Sequence, residues 1–350
     1  MPSIKKVAEL AGVSVGTVSH VITGSVNVSE PLRLKVQAAI RELNYHPNHV
    51  ARSLKTSKTR TLGIIVPDLT ISFYPQIIRG AETAARKKGY SLIAVNSDDE
   101  GERQRELLSL LRSQRVEGIL LVIAAAPIPL SQLTRILDDD IPVVCLDRIP
   151  ERIPVDSVCV EDAEAAEMGV THLLSQGARR IAIVTGPLNL KNERRRLQGC
   201  TQALRKAGIP PDPELIWSAN LRPEDIANDC RRHFSPDARN LRPDAIFCTN
   251  GQSALGVLRA LRDCKIRTPE DIAFATFDEL TVDDLFSPAL TTVVQPAFEI
   301  GYRATEILLD RIEGIATQAE SITVRLPASL RIRASSKRLE ANAKPPLPSA

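Results

Sequence analysis

Aromatic side chains are scarce: seven Phe, four Tyr and one Trp make up 3% of the 350 residues. The cores must therefore be built on Leu, Ile, Val and Ala, and an aromatic placed in a cleft carries more information than usual. Long apolar runs are also missing. The longest, Ile119 to Ala126, is too short to span a bilayer. The N-terminus, Met1-Pro2-Ser3-Ile4-Lys5-Lys6, has neither an apolar core nor a cleavage signal, so a soluble, unexported, cytoplasmic protein is expected. The six cysteines (Cys145, Cys159, Cys200, Cys230, Cys248, Cys264) show no Cys-x-x-Cys spacing, and read as reduced, mostly buried filler rather than metal or disulfide chemistry. Gly-x-Ser-x-Gly, phosphate-loop and dinucleotide glycine patterns are absent, so no cofactor is expected.

What is present is ordinary in bulk and uneven in charge. Hydrophobic residues are 43% and charged residues 25%, the globular range, and the length suits two to three domains. Residues 1–60 hold nine basic and three acidic side chains, a net +6, which leaves the remainder at −3. A small basic module on a slightly acidic body points to a polyanion, most simply nucleic acid; a solvated basic face is the plainer alternative.

The first 60 residues read as three helices. Ser3 can cap Ile4 to Ala11, whose Val7, Ala8, Leu10 and Ala11 form one stripe, and Gly12 ends it in a tight turn. Ser14 can cap Val15 to Thr23, with Val18, Val21 and Ile22 inward. Ser29 can cap Glu30 to Asn44, where Pro31 is tolerable in the first turn and Leu32, Val36, Ala39, Ile40 and Leu43 line the buried side. Two short helices across a Gly turn, braced by a third, make a helix-turn-helix whose second helix enters the major groove. Val15, Gly16, Thr17, Ser19 and His20 would then face the bases, with Gly16 allowing close backbone approach. The alternative is a helical hairpin with no nucleic-acid role. Pro47 ends the third helix. Asn48 to Leu54 reads as a two-turn segment that orders only when docked, its Leu54 a wedge for the minor groove and Arg52 and Lys55 near phosphates; a flexible linker is the plain reading.

Here the chain resembles the lactose-repressor (LacI) family of bacterial regulators. The matching residues are Ile4-Lys5-Lys6-Val7-Ala8-Glu9-Leu10-Ala11-Gly12-Val13-Ser14, Val18-Ser19-His20-Val21-Ile22, Val28-Ser29-Glu30, Leu43-Asn44-Tyr45-His46-Pro47-Asn48 and Ala51-Arg52-Ser53-Leu54. Lys6 and Pro31 depart from the family pattern without breaking the helices. The resemblance adds Asn27 and Tyr45 to the expected DNA contacts.

From residue 62 to 334, strand-like apolar runs alternate with amphipathic helical stretches. Strands read at Leu62–Pro67, Tyr90–Asn96, Gly118–Ile123, Val143–Asp147, Ile181–Gly186, Ala245–Thr249 and Ala273–Phe277, with helices such as Pro75–Lys88, Glu102–Arg112, Ala163–Gln176 and Glu193–Ala207 between them. This is an α/β body of doubly wound parallel sheets in two series, with a break near Val155–Glu161. The resemblance implies the two-lobed periplasmic-binding-protein type 1 fold. It places one lobe at about 62–160 and 294–320 and the other at about 161–293 and 321–334. The domains expected are thus the helix-turn-helix at 1–47, a hinge helix and linker at 48–61, the ligand-binding and dimerisation body at 62–334, and a disordered tail at 335–350.

In such folds ligands sit at the carboxyl ends of the strands. The residues there are Phe73, Tyr74, Asp147, Arg148, Arg196, Asn250, Asp278 and Gln295, each at a position that lines the cleft in the family; the resemblance adds Asn192 and Leu221. Gly251, Leu221 and Ile71-Ser72 replace, respectively, an acidic residue, an aromatic and Asn-Pro usual in that pattern. The side-chain chemistry suits a polyol: carboxylates and amides for hydroxyls, arginine forks, an aromatic face for C–H groups. The alternatives are that Asp147, Arg148 and Asp278 form interlobe salt bridges, that Phe73 is hinge core, or that Asp147 and Asp278 are an enzyme's acid/base pair, against which Arg148 should keep Asp147 ionised. The expectation is a homodimeric repressor without leucine heptads in its tail, bound to near-palindromic operator DNA and controlled by a small molecule, most simply a sugar. A nucleoside, a phosphosugar or a protein co-regulator is the alternative effector, and a transport-type sugar-binding protein the more remote reading.

Overall fold

The computed structural model describes residues 3–23, 28–45, 58–125, 141–150, 153–234, 242–280, 287–315 and 320–337. Asn27, the segment 48–54 with Arg52 and Leu54, Lys55 and the tail from residue 338 lie outside them. The chain divides into two compact units, 1–59 and 60–350.

In the first unit, α1 (Ile4–Ala11), α2 (Val15–Thr23) and α3 (Glu30–Glu42) form where their caps and stripes place them. Ser3 Oγ accepts the Lys6 amide at 3.4 Å and Ser14 Oγ accepts the Thr17 amide at 3.1 Å. Gly12 takes a left-handed φ of 62° and closes α1. Ser29, with φ and ψ of −57° and 143°, makes no side-chain cap, contrary to expectation. Val7, Ala8, Ala11, Val18, Val36 and Ala39 form the buried core, with Val21, Ile22, Ile40, Leu43 and Tyr45 packed against it. Leu10 is 47% exposed rather than inward, because it lies roughly 100° around α1 from the centre of the stripe set by Val7, Ala8 and Ala11. Leu32, at the start of α3, is also exposed.

The second unit holds two six-stranded sheets. The first runs, in spatial order, β2 (Ser91–Asn96), β1 (Thr61–Val66), β3 (Gly118–Leu121), β4 (Val143–Leu146), β5 (Asp156–Val160), β11 (Thr323–Leu326). The second runs β7 (Ile216–Ser218), β6 (Ile181–Thr185), β8 (Ala245–Cys248), β9 (Ala273–Phe277), β10 (Thr291–Val294), β12 (Ser329–Arg331). Every neighbouring pair is parallel except β10–β12, which is antiparallel. Central strands such as GILL, VVCL and AIFC are buried throughout, as sheets covered on both faces require. The predicted break near 155–161 is instead the inner strand β5, with the crossing into the second lobe directly after it.

Helices α4 (Phe73–Lys87), α5 (Gly101–Ser113) and α10 (Ala297–Ile312) belong to the first lobe; α6 (Asp162–Ser175), α7 (Lys191–Lys206), α8 (Pro223–His233) and α9 (Gly251–Asp263) belong to the second. The chain crosses between lobes after β5, after β10 and between β11 and β12. The second lobe therefore resumes after residue 326, not at 321, because β11 pairs with β5. The tail is likewise not free from residue 335. Ala334–Ser336 form a short 3-10 turn in which Ser335 Oγ donates to Phe274 O at 2.7 Å and accepts the Thr291 amide at 2.8 Å, and Ser336 Oγ meets His172 Nε2 at 2.7 Å.

Helix pairs in both lobes meet at glycine. A Cβ on Gly80 of α4 would lie 2.0 Å from the Phe298 carbonyl oxygen of α10, and one on Gly301 of α10 would lie 1.9 Å from that of Ile77. In the second lobe, a Cβ on Gly199 of α7 would lie 1.9 Å from the Ala163 carbonyl oxygen of α6. Backbone cannot yield as a side chain tip can, so Gly199→Ala is expected to cost about 1–3 kcal/mol or more. Urea unfolding checks it: the midpoint should fall with the slope unchanged.

Candidate functional site

The exposed edge of α2 holds one set of candidates. Val18 is fully buried, which turns Val15, Gly16 and His20 outward and leaves Thr17 and Ser19 half-exposed. Thr17 Oγ1 is held by Ser14 Oγ at 3.0 Å, so its orientation follows from the N-terminal cap. Tyr45 packs on the unit's core and remains part-exposed. Lys5, Lys6, Lys35 and Arg41 are exposed; Arg33 pairs with Glu30 at 2.7 Å, an exposed i,i+3 pair of small energetic consequence.

The second set converges in the cleft between the lobes. Phe73, Tyr74, Asp147, Arg148, Asn192, Arg196, Leu221, Asn250, Asp278 and Gln295, all expected from sequence, line one cavity of about 40 Å³. Ile71, Leu190, Glu193, Gly251 and Gln252 line it too and were not among the expected contacts. Two larger grooves, of about 680 and 440 Å³, lie on the second lobe beside Pro269 and Pro210. None of the charged side chains lining those grooves is buried, whereas the cleft gathers four buried ones, Asp147, Arg148, Glu193 and Arg196.

The two lobes contribute matching halves. Asp147 follows β4 and Asp278 follows β9, both with left-handed φ, 59° and 68°. The Asp147 amide donates to Val158 O and the Asp278 amide to Val293 O, each at 3.0 Å. The next strand thus pins each aspartate at a strand end. Phe73 and Tyr74 open α4 and meet edge to face at 5.3 Å. Phe73 is also part of the lobe's core, so cleft wall and core are one residue's two sides.

Arg196, on the second turn of α7, is the cationic centre. Its Nε donates to Asp162 at 2.8 Å and Nη1 to Thr249 O at 2.9 Å, its guanidinium lies 3.9 Å over the Phe277 ring, and Asp147 of the other lobe is 3.6 Å from Nη2. Burial works against the charge, but Asp162, Asp278, Glu193 and Asp147 outweigh it and hold Arg196 cationic. Arg148 is held by Asp99, whose carboxylate also accepts the Ala125 amide at 2.8 Å. Arg148 pulls Asp147 toward its ionised form, as expected, but burial outweighs that pull. Burial pushes Asp147 up to about 7, the pull of Arg196 and Arg148 notwithstanding, and pushes Asp162 up to about 6 and Asp278 upward.

Two polar atoms in this wall are buried without a hydrogen-bond partner, Arg196 Nη2 and Gln295 Oε1. Gln295 spends its amide nitrogen on Asp278 at 2.6 Å, which fixes the oxygen as the free end. A donor and an acceptor left unpaired in a buried wall are what a polar ligand would satisfy. Two hydrogen bonds tie the lobes at the rim: Ser72 Oγ to Glu279 O and Asn189 Nδ2 to Ala125 O, both 2.6 Å. Among the described residues no His, Cys, Asp and Glu cluster is placed to hold a metal ion, and no helix is long and apolar enough to cross a membrane.

Comparison with known proteins adds the following. Residues 3–48 match the family model for bacterial regulatory proteins of the lacI family, and residues 170–336 match that for a periplasmic binding protein-like domain. The HTH-type transcriptional repressor PurR of Vibrio atlanticus is 37% identical over 315 residues, 89% of this chain and 92% of that protein. The ribose operon repressor of Escherichia coli K12 is 35% identical over 316 residues, 89% and 93% respectively. Among solved structures, the Lac repressor dimer bound to operator and the anti-inducer ONPF matches with a TM-score of 0.82 at 26% identity, covering 96% of this chain and 99% of that one. A complex of the transcriptional regulator CelR with cellobiose matches with a TM-score of 0.70 at 31% identity, over 96% and 100%.

Proposed function

The chain belongs to the lacI family of bacterial regulatory proteins, and we propose on that footing that its cleft takes a neutral sugar or related polyol which resets the grip of a homodimer on operator DNA. It is a DNA-binding transcriptional repressor under small-molecule control rather than an enzyme, working in the cytoplasm where the operator is. The first turns of α2 read base edges, and the exposed lysines of the same unit meet phosphates.

One observation carries the choice of effector: the cleft's carboxylates outnumber its cations. Asp147, Glu193 and Asp278 face Arg148 and Arg196, and each arginine is already engaged from behind, by Asp99 and Asp162. A phosphosugar or sugar acid would bring further negative charge against buried carboxylates whose own ionisation burial already opposes. A neutral polyol donates hydroxyls to Asp147, Asp278 and Gln295 Oε1, accepts from Arg196 Nη2, and sets a C–H face on Phe73 or Tyr74. The ribose operon repressor and the cellobiose complex among the similar proteins agree with this class.

The cavity of about 40 Å³ holds roughly three waters, less than a pyranose needs, so a sugar enters only as the lobes part and the Ser72–Glu279 and Asn189–Ala125 bonds open. A ligand that changes the lobe angle changes the spacing of the two linkers in a dimer, and with it operator affinity. Couplings of this kind are typically about 1–3 kcal/mol.

Titration calorimetry of the full chain with pentoses, hexoses, disaccharides, their phosphates and nucleobases tests the ligand. Fluorescence anisotropy on duplex from upstream of its own gene, with and without each compound, tests the coupling. A neutral sugar should bind and shift operator affinity by roughly 5- to 150-fold. Binding confined to a nucleobase or a sugar phosphate would overturn the polyol reading.

A further inference from the structure

Glu193 is the one cleft carboxylate that no sequence pattern pointed to, and it is 2% exposed on the first turn of α7. Its Oε2 accepts from Thr185 Oγ1 at 3.1 Å, from the Gly186 amide at 3.0 Å and from Thr249 Oγ1. Its Oε1 accepts Asn250 Nδ2 at 3.1 Å and lies 3.9 Å from Arg196 Nη1. The carboxylate thus ties together the ends of β6 and β8, the start of α9 and the central arginine.

The effect on Asn250 is specific. Its Oδ1 accepts the Ser253 amide at 2.8 Å as the cap of α9, and one hydrogen of Nδ2 goes to Glu193. The amide cannot flip, because that would turn N–H groups toward the Ser253 amide and an oxygen toward a carboxylate. What the Asn250 nitrogen has left is a single N–H. Asn192 is fixed similarly, its Oδ1 taken by the Glu193 amide at 3.0 Å, so its free end is also NH₂.

We propose that Glu193 is the specificity-determining residue of the cleft: it fixes Asn250 as a hydrogen-bond donor and keeps the wall negative, so that uncharged polyols are accepted and anionic sugars refused. The inference rests on the polyol reading above, and its test is built so that the two can fail separately.

Three variants of the full chain are compared: Glu193→Gln, Asn250→Asp and the pair together. Glu193→Gln sets an amide NH₂ against the NH₂ of Asn250, and Asn250→Asp sets a second carboxylate against that of Glu193, so each single change should lower the melting temperature. Together they restore one hydrogen bond with its direction reversed, and the melting temperature should recover most of the loss. Binding is read by calorimetry with D-ribose, D-glucose, D-galactose and cellobiose, and with ribose 5-phosphate and glucose 6-phosphate. Glu193→Gln should weaken the neutral sugar that binds best by tenfold or more and narrow its advantage over the matching phosphate by a similar factor. The double variant should regain stability without regaining affinity, because position 250 now offers the sugar an oxygen. Recovery of both together would make Glu193 structural only and overturn the proposal. So would an unchanged preference for neutral over phosphorylated sugar in Glu193→Gln, or a parent chain that prefers the phosphate. If the parent chain binds no sugar, the polyol reading falls, and the melting series alone decides the Glu193–Asn250 tie: additive losses overturn it and recovery supports it.

Discussion

Asn in place of Asp147 should give a protein that melts higher at pH 8 and is deaf to its effector. The backbone does not object, since Asn accepts the left-handed φ of 59° as readily as Asp. The charge does. Burial raises Asp147 to about 7, so from about pH 4 to 7 the native state holds a proton that the unfolded chain has released. Stability therefore falls as pH rises through that window, and above it the native protein carries the full cost of a buried carboxylate, on the order of a few kcal/mol. Arg196 keeps Asp162 and Thr249 O when Asp147 loses its charge. Calorimetric melting at pH 5.5, 7 and 8 should show Asp147→Asn gaining about 2–5 °C at the highest pH and little at the lowest. The same change removes charge-assisted acceptors for the ligand's hydroxyls, each worth about 1.5–3 kcal/mol, so sugar affinity should drop roughly 100-fold. In the parent chain that affinity should rise from pH 6 to 8 as Asp147 ionises between Arg196, Arg148, Asp162 and Asp278, and the variant should lose this rise. A melting temperature below the parent's at pH 8 would show that the Arg196 pair outweighs burial.

Gly16→Ala is expected to separate stability from function in the other unit. Gly16 sits in the first turn of α2, where a Cβ meets only Ser14 Oγ at 3.5 Å, an ordinary contact. Alanine should therefore stabilise the helix by about 1 kcal/mol. It also puts a methyl group on the surface formed by Val15, Thr17 and His20. If that surface lies against base edges at backbone distance, contacts worth about 1–3 kcal/mol are lost and operator affinity falls roughly 10- to 100-fold. The salt dependence should stay the same, because the substitution changes no lysine or arginine. Anisotropy titrations at several salt concentrations, beside thermal melts, measure both. Unchanged operator affinity would move the reading surface away from the start of α2.

Much of this could be read from residue order, for reasons that differ by element. Ser3, Gly12 and Ser14 marked helix ends because capping is local chemistry; Ser29 marked the start of α3 but makes no side-chain cap there. Long buried strands announced themselves as apolar runs. β7, β11 and β12 did not, being three to four residues long and half-exposed, with Arg325 and Arg331 in the last two, and neither did β10, a buried strand whose four residues begin with two Thr. β5 was hidden by Asp156, whose carboxylate is spent on Arg311 at 2.7 and 2.9 Å and on the Ile322 amide. The cleft residues were legible because strand ends in a doubly wound sheet converge on one crevice. Glu193 was not, because within Lys191-Asn-Glu-Arg-Arg-Arg it looks like a solvated helix-face charge. The available signal was Thr185 and Thr249, two hydroxyls at the ends of neighbouring buried strands that need an acceptor.

The glycine seams in the two lobes join parts with different jobs. α6 starts immediately after the first interlobe crossing and α10 after the second, and they are clamped through Gly199 and through Gly80 and Gly301 onto α7 and α4, the helices that carry Arg196 and the Phe73–Tyr74 pair. With carbonyl oxygens where a methyl group would have to sit, neither pair can slide or be padded out. Any turn of the chain at the crossings would therefore carry each helix pair, with Arg196 or the Phe73–Tyr74 pair aboard, as a single block, and one carbon added to a seam would have to prise two backbones apart.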